Sequence, residues 1–316
     1  MADTNMELDL FRLNKVNRDD LLSDLEKAAE NDRELLAIIQ NACDKSFDDN
    51  SVGIKNSFVW GLRNYRLHSV QNGPDGFHNA IASVCIFRAI DGKYGLVVTE
   101  DGITEDFSSE NPPSALAVRI IFHMRRHLVA VEYSSALMNS NVWREMLEKI
   151  LYKSSQALGY RTAIHLEPVP QENEVMREFQ SFELLNRLKV RLRLPNPEIS
   201  RSAKLVFDQM QNGGIDEWLT EMKRKQGLNT ASGNLPHSVA SLAQAGYKSG
   251  SVVMTGYSGG EYKKVVTGNH AWKVITQVSK NSASGSKPAA VLNDLDNSVA
   301  KLTSLVDASY PSDDTQ

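Results

Sequence analysis

The chain of 316 residues contains little cysteine and no long apolar segment. Its two cysteines, Cys43 and Cys85, are too few for a disulfide framework or a four-cysteine zinc site, which fits a reducing compartment. The apolar-rich stretch from Ala115 to Phe122 is interrupted by Arg119, whereas a membrane-spanning helix needs ~20 residues. The N-terminus lacks a cationic segment followed by an apolar one, so no secretory signal is expected. We predict a cytoplasmic protein.

The common catalytic motifs are also missing. The sequence has no phosphate-binding loop of the G-x-x-x-x-G-K-[ST] type, no G-x-G-x-x-G after a strand and no G-x-S-x-G nucleophile elbow. His123 and His127 are four residues apart, but the surrounding pattern is strand, turn, strand, which does not align them as metal ligands. The sequence therefore predicts neither a metal nor a cofactor, and a function without catalysis.

The formal net charge of −4, taken alone, argues against binding to nucleic acid, but the charge is unevenly distributed. Residues 1–117 carry 11 Lys and Arg against 20 Asp and Glu, while residues 118–227 carry 17 against 13. Residues 228–316 are close to neutral, with 7 against 6. The acidic surplus thus lies in the first third of the chain, and the middle is basic.

Alternating and helical apolar patterns interleave along the chain, which predicts an α+β fold with two lobes and a C-terminal helix. The predicted divisions are an acidic lobe at 1–114, a basic lobe at 115–278, a linker at 279–288, a helix at 289–308 and a disordered tail at 309–316. The boundary at residue 114 follows an acidic segment that ends in two prolines. The Ser- and Gly-rich composition of 279–288 is typical of a flexible linker.

Individual elements follow from the same patterns. Helices are predicted at 19–41, 141–158, 172–186, 197–210 and 235–246, and a short helix begins at Ile215. Hairpins are predicted between 82–90 and 94–99, across Asp91-Gly92, and between 251–257 and 261–267, across Ser258-Gly259-Gly260.

The most informative segment is Arg187–Leu194, in which cations and aliphatic residues alternate strictly. In a strand, Arg187, Lys189, Arg191 and Arg193 lie on one face and the aliphatic side chains on the other. Cations on alternate residues are about 7 Å apart, comparable to the spacing of successive phosphates along a nucleic-acid strand. The segment therefore indicates a phosphate-binding surface.

Other cations follow in the sequence and extend this prediction. The candidate nucleic-acid-binding residues are Arg187, Lys189, Arg191, Arg193, Arg201, Lys204, Lys223, Arg224, Lys225, Lys263 and Lys264. An alternative interpretation is an internally paired solvent face, with Glu172, Glu174, Glu178 and Glu183 as the compensating anions. Both interpretations stay open from the sequence.

Two further alternatives concern enzymes and partners. Glu132, Glu167 and Glu261-Tyr262-Lys263 are the carboxylate fragments available to a metal-dependent nuclease. The apolar seam of the C-terminal helix is too short for a coiled coil by itself, so it packs on the body or on a second copy, as in an interaction module. Trp218, Tyr257 and Tyr262 are candidates for stacking on bases, although Trp218 fits a buried stripe better.

The middle of the chain combines several short stretches in a fixed order. Leu166-Glu167-Pro168 ends a strand, Asn173-Glu174-Val175-Met176 lies in an acidic helix, the basic strand Leu188–Leu194 follows, and a helix carries Arg201 and Lys204. Over about residues 115–225 this arrangement resembles the RexA-type proteins of temperate phage and related bacterial proteins.

The resemblance implies a role in phage exclusion, an antiviral defence. It implies a cytoplasmic homodimer that binds DNA rather than RNA and acts with a small membrane protein encoded beside it. The acidic N-terminal third and the linker with its terminal helix do not match that pattern. The prediction is thus a DNA-binding sensor or effector that contacts the phosphate backbone.

Overall fold

The computed structural model describes residues 4–17, 28–52, 57–69, 80–90, 93–99, 102–108, 115–124, 127–160, 162–171, 173–193, 209–210, 212–215 and 217–278. The strands are β1 (Thr4–Asn17), β2 (Asp49–Val52), β3 (Ser57–Ser69), β4 (Ile81–Ile90), β5 (Lys93–Thr99), β6 (Gly102–Ser108), β7 (Ala115–His123), β8 (Leu128–Glu132), β9 (Thr162–Pro168), β10 (Leu184–Arg193), β11 (Glu217–Lys223), β12 (Val252–Ser258), β13 (Glu261–Thr267) and β14 (Trp272–Val278). The helices are α1 (Ala28–Asn41), α2 (Ser135–Met138), α3 (Val142–Ala157), α4 (Glu174–Gln180) and α5 (Leu235–Gln244). The α+β prediction is confirmed.

The first sheet is built around the long strand β1. Its strand order is β14-β1-β8-β7-β4-β3-β2, and β9 also pairs with β1. One edge of β1 is shared, because β14 pairs with Thr4–Leu10 and β9 with Phe11–Asn17. The other edge pairs with β8. A single strand near the N-terminus therefore joins elements from the middle and the far end of the described chain.

The first core lies between this sheet and the helices α1 and α3. As the helical spacing predicts, α3 buries Trp143, Leu147 and Ile150 against strand residues such as Phe122. The helix ends at Ala157, and Leu158 after it is exposed. Gly159 follows with a positive φ of 82°, a conformation typical of a glycine that ends a helix.

The second core belongs to a four-stranded antiparallel sheet in the order β11-β10-β12-β13. The helices α4 and α5 cover one side of this sheet and bury Phe179, Leu188, Leu242 and Met254 between the layers. The hairpin of β12 and β13 is confirmed, with Gly259-Gly260 as its two-residue turn. Both glycines have positive φ, which suits the tight turns that connect twisted antiparallel strands.

The two sheets divide the described chain differently from the predicted lobes. The first sheet crosses residue 114, because β4 pairs with β7 along almost its whole length. It also takes β14 from beyond the second sheet. The second core draws its buried residues from Val175 to Met254. The linker, the C-terminal helix and the tail predicted at 279–316 lie outside the described residues.

Three predictions of local structure are wrong. The predicted hairpin across Asp91-Gly92 does not form, because β3 and β7 occupy both edges of β4, and β5 pairs instead with β6. The predicted helix at 172–186 is shorter, since β10 already begins at Leu184. The predicted helix from Ile215 is the strand β11, in which Trp218, Thr220 and Met222 face the core and Leu219 is exposed.

We predict that Gly256→Ala destabilises the second sheet strongly. Gly256 is buried on β12, and a methyl group there would overlap the backbone carbonyl oxygen of Leu184 on β10, which cannot rotate away. We expect a loss of about 3 kcal/mol in the free energy of unfolding, measured by urea denaturation.

Gly259→Ala is the matched control for Gly256→Ala, because no atom of the described residues beyond its chain neighbours lies within 4 Å of the added methyl group. Only its positive φ of 61° is unfavourable, which costs about 1 kcal/mol. Equal losses for the two variants would contradict the close packing of β12 against β10.

Candidate nucleic-acid interface

The basic strand is β10, and its predicted alternation is confirmed. Leu188, Val190 and Leu192 are fully buried in the second core. The four cations therefore lie on the opposite side, which we call the outer face: the side of the second sheet that points away from α4 and α5. By strand register, the outer face consists of Arg187, Lys189, Arg191 and Arg193 on β10, Glu217, Leu219, Glu221 and Lys223 on β11, Val253, Thr255 and Tyr257 on β12, and Tyr262, Lys264 and Val266 on β13.

Two glutamates of β11 pair with cations of the outer face. Glu221 lies 2.6 Å from Arg187 and 2.7 Å from Lys223, and Glu217 lies 3.4 Å from Arg191. The hydrogen bond from Lys223 and the charge of Arg187 hold the pKa of Glu221 below its ordinary value, so this carboxylate stays ionised. Internal pairing of the basic strand is thus part of the structure.

The acidic partners are not the upstream glutamates that the sequence suggested. Glu174 accepts hydrogen bonds from the Thr267 hydroxyl and the Gly268 amide, and Glu183 accepts one from the Gly259 amide. Glu178 lies 3.8 Å from Lys263. Glu172 lies outside the described residues. The carboxylates that pair with the basic strand are instead Glu217 and Glu221 of β11, the segment that was predicted as a helix.

Pairing leaves a surplus of positive charge on the outer face. The face holds six cations and two carboxylates. Lys189 and Lys264 form no ion pair with any described residue, and half of the Arg191 side chain is exposed (49%). Because Glu221 faces both Arg187 and Lys223, one negative charge is shared between two cations. The described outer face is therefore net basic within a chain that is net acidic.

Arg193 is placed differently from the other three cations of β10. Only 14% of its side chain is exposed, and its guanidinium lies 4.0 Å from Glu167 of the first sheet and 3.6 Å from Glu217. It also donates a hydrogen bond to the Ser249 hydroxyl. Arg193 thus connects the end of β10 to the first sheet, and it offers little surface to a ligand.

The remaining predicted cations are dispersed. Lys223 lies on the outer face, while Arg224 and Lys225 are exposed just after β11 rather than at the end of a helix. Asn186 holds that loop by donating hydrogen bonds to the carbonyl groups of both Arg224 and Lys225. Lys263 points to the opposite side from Lys264, near Glu178 and Phe182. Arg201 and Lys204 lie outside the described residues.

A buried charge cluster lies beside the anchored end of β10. Lys248 is fully buried, bridges to Leu192 and donates a hydrogen bond to the Gly250 carbonyl. Burial lowers the pKa of Lys248 to about 8, against the opposing effect of Glu167. Burial likewise raises the pKa of Glu167, against Lys248 and Arg193. Nothing in the sequence marked Lys248, because a lysine after a helix normally reaches solvent.

The three carboxylates that the sequence offers to a metal-dependent nuclease lie on separate strands. Glu132 is on β8 and accepts a hydrogen bond from the Arg119 amide, Glu167 is on β9 beside Lys248, and Glu261 is exposed at the start of β13. Among the described residues, no group of three or more His, Cys, Asp or Glu side chains converges as a metal ion would require. His127 instead pairs with buried Asp32 at 2.9 Å.

Comparison of the sequence with known proteins identifies the family to which the chain belongs. A family model described as a domain of unknown function, DUF4747, matches residues 31–295. This match covers most of the chain, so the chain belongs to that family. No curated protein matches the sequence. Within the described part of the chain, every helix is too short or too polar to cross a membrane.

We predict that Lys248 makes stability depend on pH in the alkaline range. Its pKa is lower in the folded state than in the unfolded chain, so between about pH 8 and 10.5 the unfolded chain binds more protons and stability rises with pH. In Lys248→Met this contribution is absent. The stability of the wild type relative to the variant should increase by on the order of 3 kcal/mol across that range.

Chemical denaturation of both proteins at pH 7.5, 9 and 10 measures this difference. Glu167, Glu174 and Arg144 also face Lys248 but are the same in both proteins, so the difference between the two proteins at each pH isolates Lys248. A stability difference between wild type and variant that stays constant with pH would show that folding does not lower the pKa of Lys248.

Proposed function

We propose that this chain, a member of the DUF4747 family, binds DNA through the outer face of its second sheet. The observation that carries the proposal is the surplus of cations that remains after Glu217 and Glu221 are paired. Such cations contact phosphates. Contacts to phosphates position a nucleic acid on a protein but do not read its base sequence. The binding is therefore largely independent of sequence.

The arrangement of the cations supports this proposal energetically. Like charges about 7 Å apart along one strand repel each other, and the two carboxylates compensate only part of the surplus. Phosphates of a bound strand supply further anions at a comparable spacing, and neutralising them releases condensed counterions. Arg187 and Arg191 are already held on the outer face by their glutamates, so less side-chain entropy is lost on binding.

The biological setting is proposed from the sequence alone. Phage exclusion, the choice of DNA over RNA, a homodimer, a membrane partner and a cytoplasmic location rest on the resemblance of residues 115–225 to RexA-type proteins. The nuclease alternative gains nothing from Glu132, Glu167 and Glu261, since they lie on separate strands. We therefore propose binding without catalysis.

We predict that Lys189→Glu/Arg191→Glu weakens DNA binding by at least about tenfold at 100 mM salt. Both side chains lie on the outer face, and reversing their charges removes two phosphate contacts and adds repulsion. The slope of log affinity against log salt concentration should become shallower by about one unit for each lost contact. Fluorescence anisotropy with labelled DNA over a salt series measures both quantities. Arg193 is avoided because its reversal would place a second carboxylate beside Glu167.

The matched control is Lys45→Glu/Arg177→Glu, which changes the net charge by the same amount. Lys45 lies in a short helical turn of the first lobe, and Arg177 is exposed on α4, on the other side of the second sheet. This control should retain the affinity and the salt slope of the wild type. If both double variants weaken binding equally, the attraction is a property of net charge and the outer face is not the site.

A further inference from the structure

Two tyrosines stand side by side on the outer face. Tyr257 on β12 and Tyr262 on β13 are paired in register, and their rings meet edge to face with centroids 5.3 Å apart. Their exposed fractions are 43% and 62%, so Tyr262 is the most exposed large hydrophobic residue described. The edge-to-face contact fixes the two rings and leaves ring surface open to solvent.

These rings lie next to a row of cations that crosses the sheet. One step along the outer face from the tyrosine pair, the strand register aligns Lys223, Arg187, Thr255 and Lys264. Adjacent strands are about 4.8 Å apart, so β13, which carries Tyr262 and Lys264, lies about 10 Å across the sheet from β10, which carries Arg187. Aromatic surface and phosphate-binding charge therefore occur together within the reach of one or two nucleotides.

Access to the tyrosine pair is open on the side of the turn. The turn residues Gly259 and Gly260 carry no side chain, and no described atom lies within 4 Å of where one would begin. A planar group can therefore approach the exposed ring of Tyr262 past the end of the hairpin. Trp218, the other aromatic candidate, packs against the second core and is not on the outer face.

A surface that has both exposed aromatic rings and cations favours single-stranded nucleic acid over a duplex. In a duplex the base faces are stacked on each other, so a protein surface meets phosphates and groove edges but no free base face. In a single strand every base has an exposed face that can stack on an aromatic ring, while the backbone follows a basic surface. An exposed tyrosine pair beside cations on an antiparallel sheet suits the single strand.

We infer that the outer face binds single-stranded nucleic acid, with bases stacked on Tyr262 and Tyr257 and phosphates against the row of Lys223, Arg187 and Lys264. This inference rests on the proposed function and specifies its ligand. Leu219 and Val266, which are also exposed on this face, extend the apolar surface available to further bases.

The test uses a labelled 20-nucleotide oligo-dT and a 20-base-pair duplex in anisotropy titrations at matched salt. The wild type should bind the single strand more tightly. Tyr262→Ala should weaken single-strand binding about 5- to 150-fold, which is the range for loss of one stacked base, and should leave duplex binding within about twofold. Tyr262→Phe keeps the ring and should restore the affinity for the single strand.

Tyr160→Ala is the control for the loss of an exposed tyrosine, because Tyr160 lies between α3 and β9, a strand of the first sheet, and is 42% exposed. It should not change either affinity. Thermal unfolding of each variant verifies that the sheet is intact; Tyr257→Ala provides a second stacking variant if Tyr262→Ala unfolds.

The outcomes separate the inference from the proposed function. If Lys189→Glu/Arg191→Glu weakens binding to both ligands but the tyrosine variants change neither, the outer face binds DNA and the single-strand inference is wrong. Equal loss of single-strand and duplex binding in Tyr262→Ala also overturns it. If the wild type binds neither ligand, both fail. A change in solution mass without a change in affinity would assign the tyrosines to contact between two copies of the chain.

Discussion

The burial of charge between the two sheets is the constraint on which the rest of the structure depends. Lys248 and Glu167 are both removed from solvent, and each ionised group is tolerable only because the other is close. Glu167 belongs to β9, which pairs with the same edge of β1 that receives β14. Beside it, Arg12 of β1 donates a hydrogen bond to the Ala245 carbonyl and lies over the ring of Tyr247. Ion-pair, hydrogen-bond and ring contacts therefore connect the two cores, in addition to apolar packing within each.

The same cluster determines how the basic strand is presented. Arg193 is held by Glu167, which fixes the end of β10 on the first sheet. Arg187 and Arg191, further along the strand, are held only by glutamates of β11 and remain accessible. The strand carries a cation at every second residue, yet its cations divide into an anchored one, Arg193, and exposed ones further along. The cause of this division is the distance of each cation from the first sheet, since all four residues are Lys or Arg.

Strictly local patterns predicted much of this fold and part of its candidate site. The alternation at 187–193 and the two-glycine turn at 259–260 are sufficient to define β10 and the β12–β13 hairpin, because strand faces and tight turns depend on adjacent residues. The predictions from sequence failed where pairing with a strand distant in the sequence determines the secondary structure. Apolar residues from 215 to 222 fit a helix, yet β10 recruits them as β11 and leaves Leu219 exposed. Likewise, β4 is paired on both edges, so the Asp91-Gly92 signal cannot close a hairpin.

The pairing of β10 with an acidic β11 bears on how the outer face functions. A surface of cations alone would be unstable without a ligand, whereas Glu217 and Glu221 keep the strands together when no anion is bound. Exposed ion pairs of this kind are weak, so an approaching phosphate competes with them at small cost. For the proposed binding of nucleic acid, we therefore expect a limited affinity that is sensitive to salt, because each phosphate must replace a carboxylate or share its cation. Stacking of bases on Tyr257 and Tyr262, as inferred above, would not be screened by salt and would retain a bound strand under conditions in which the charged contacts weaken.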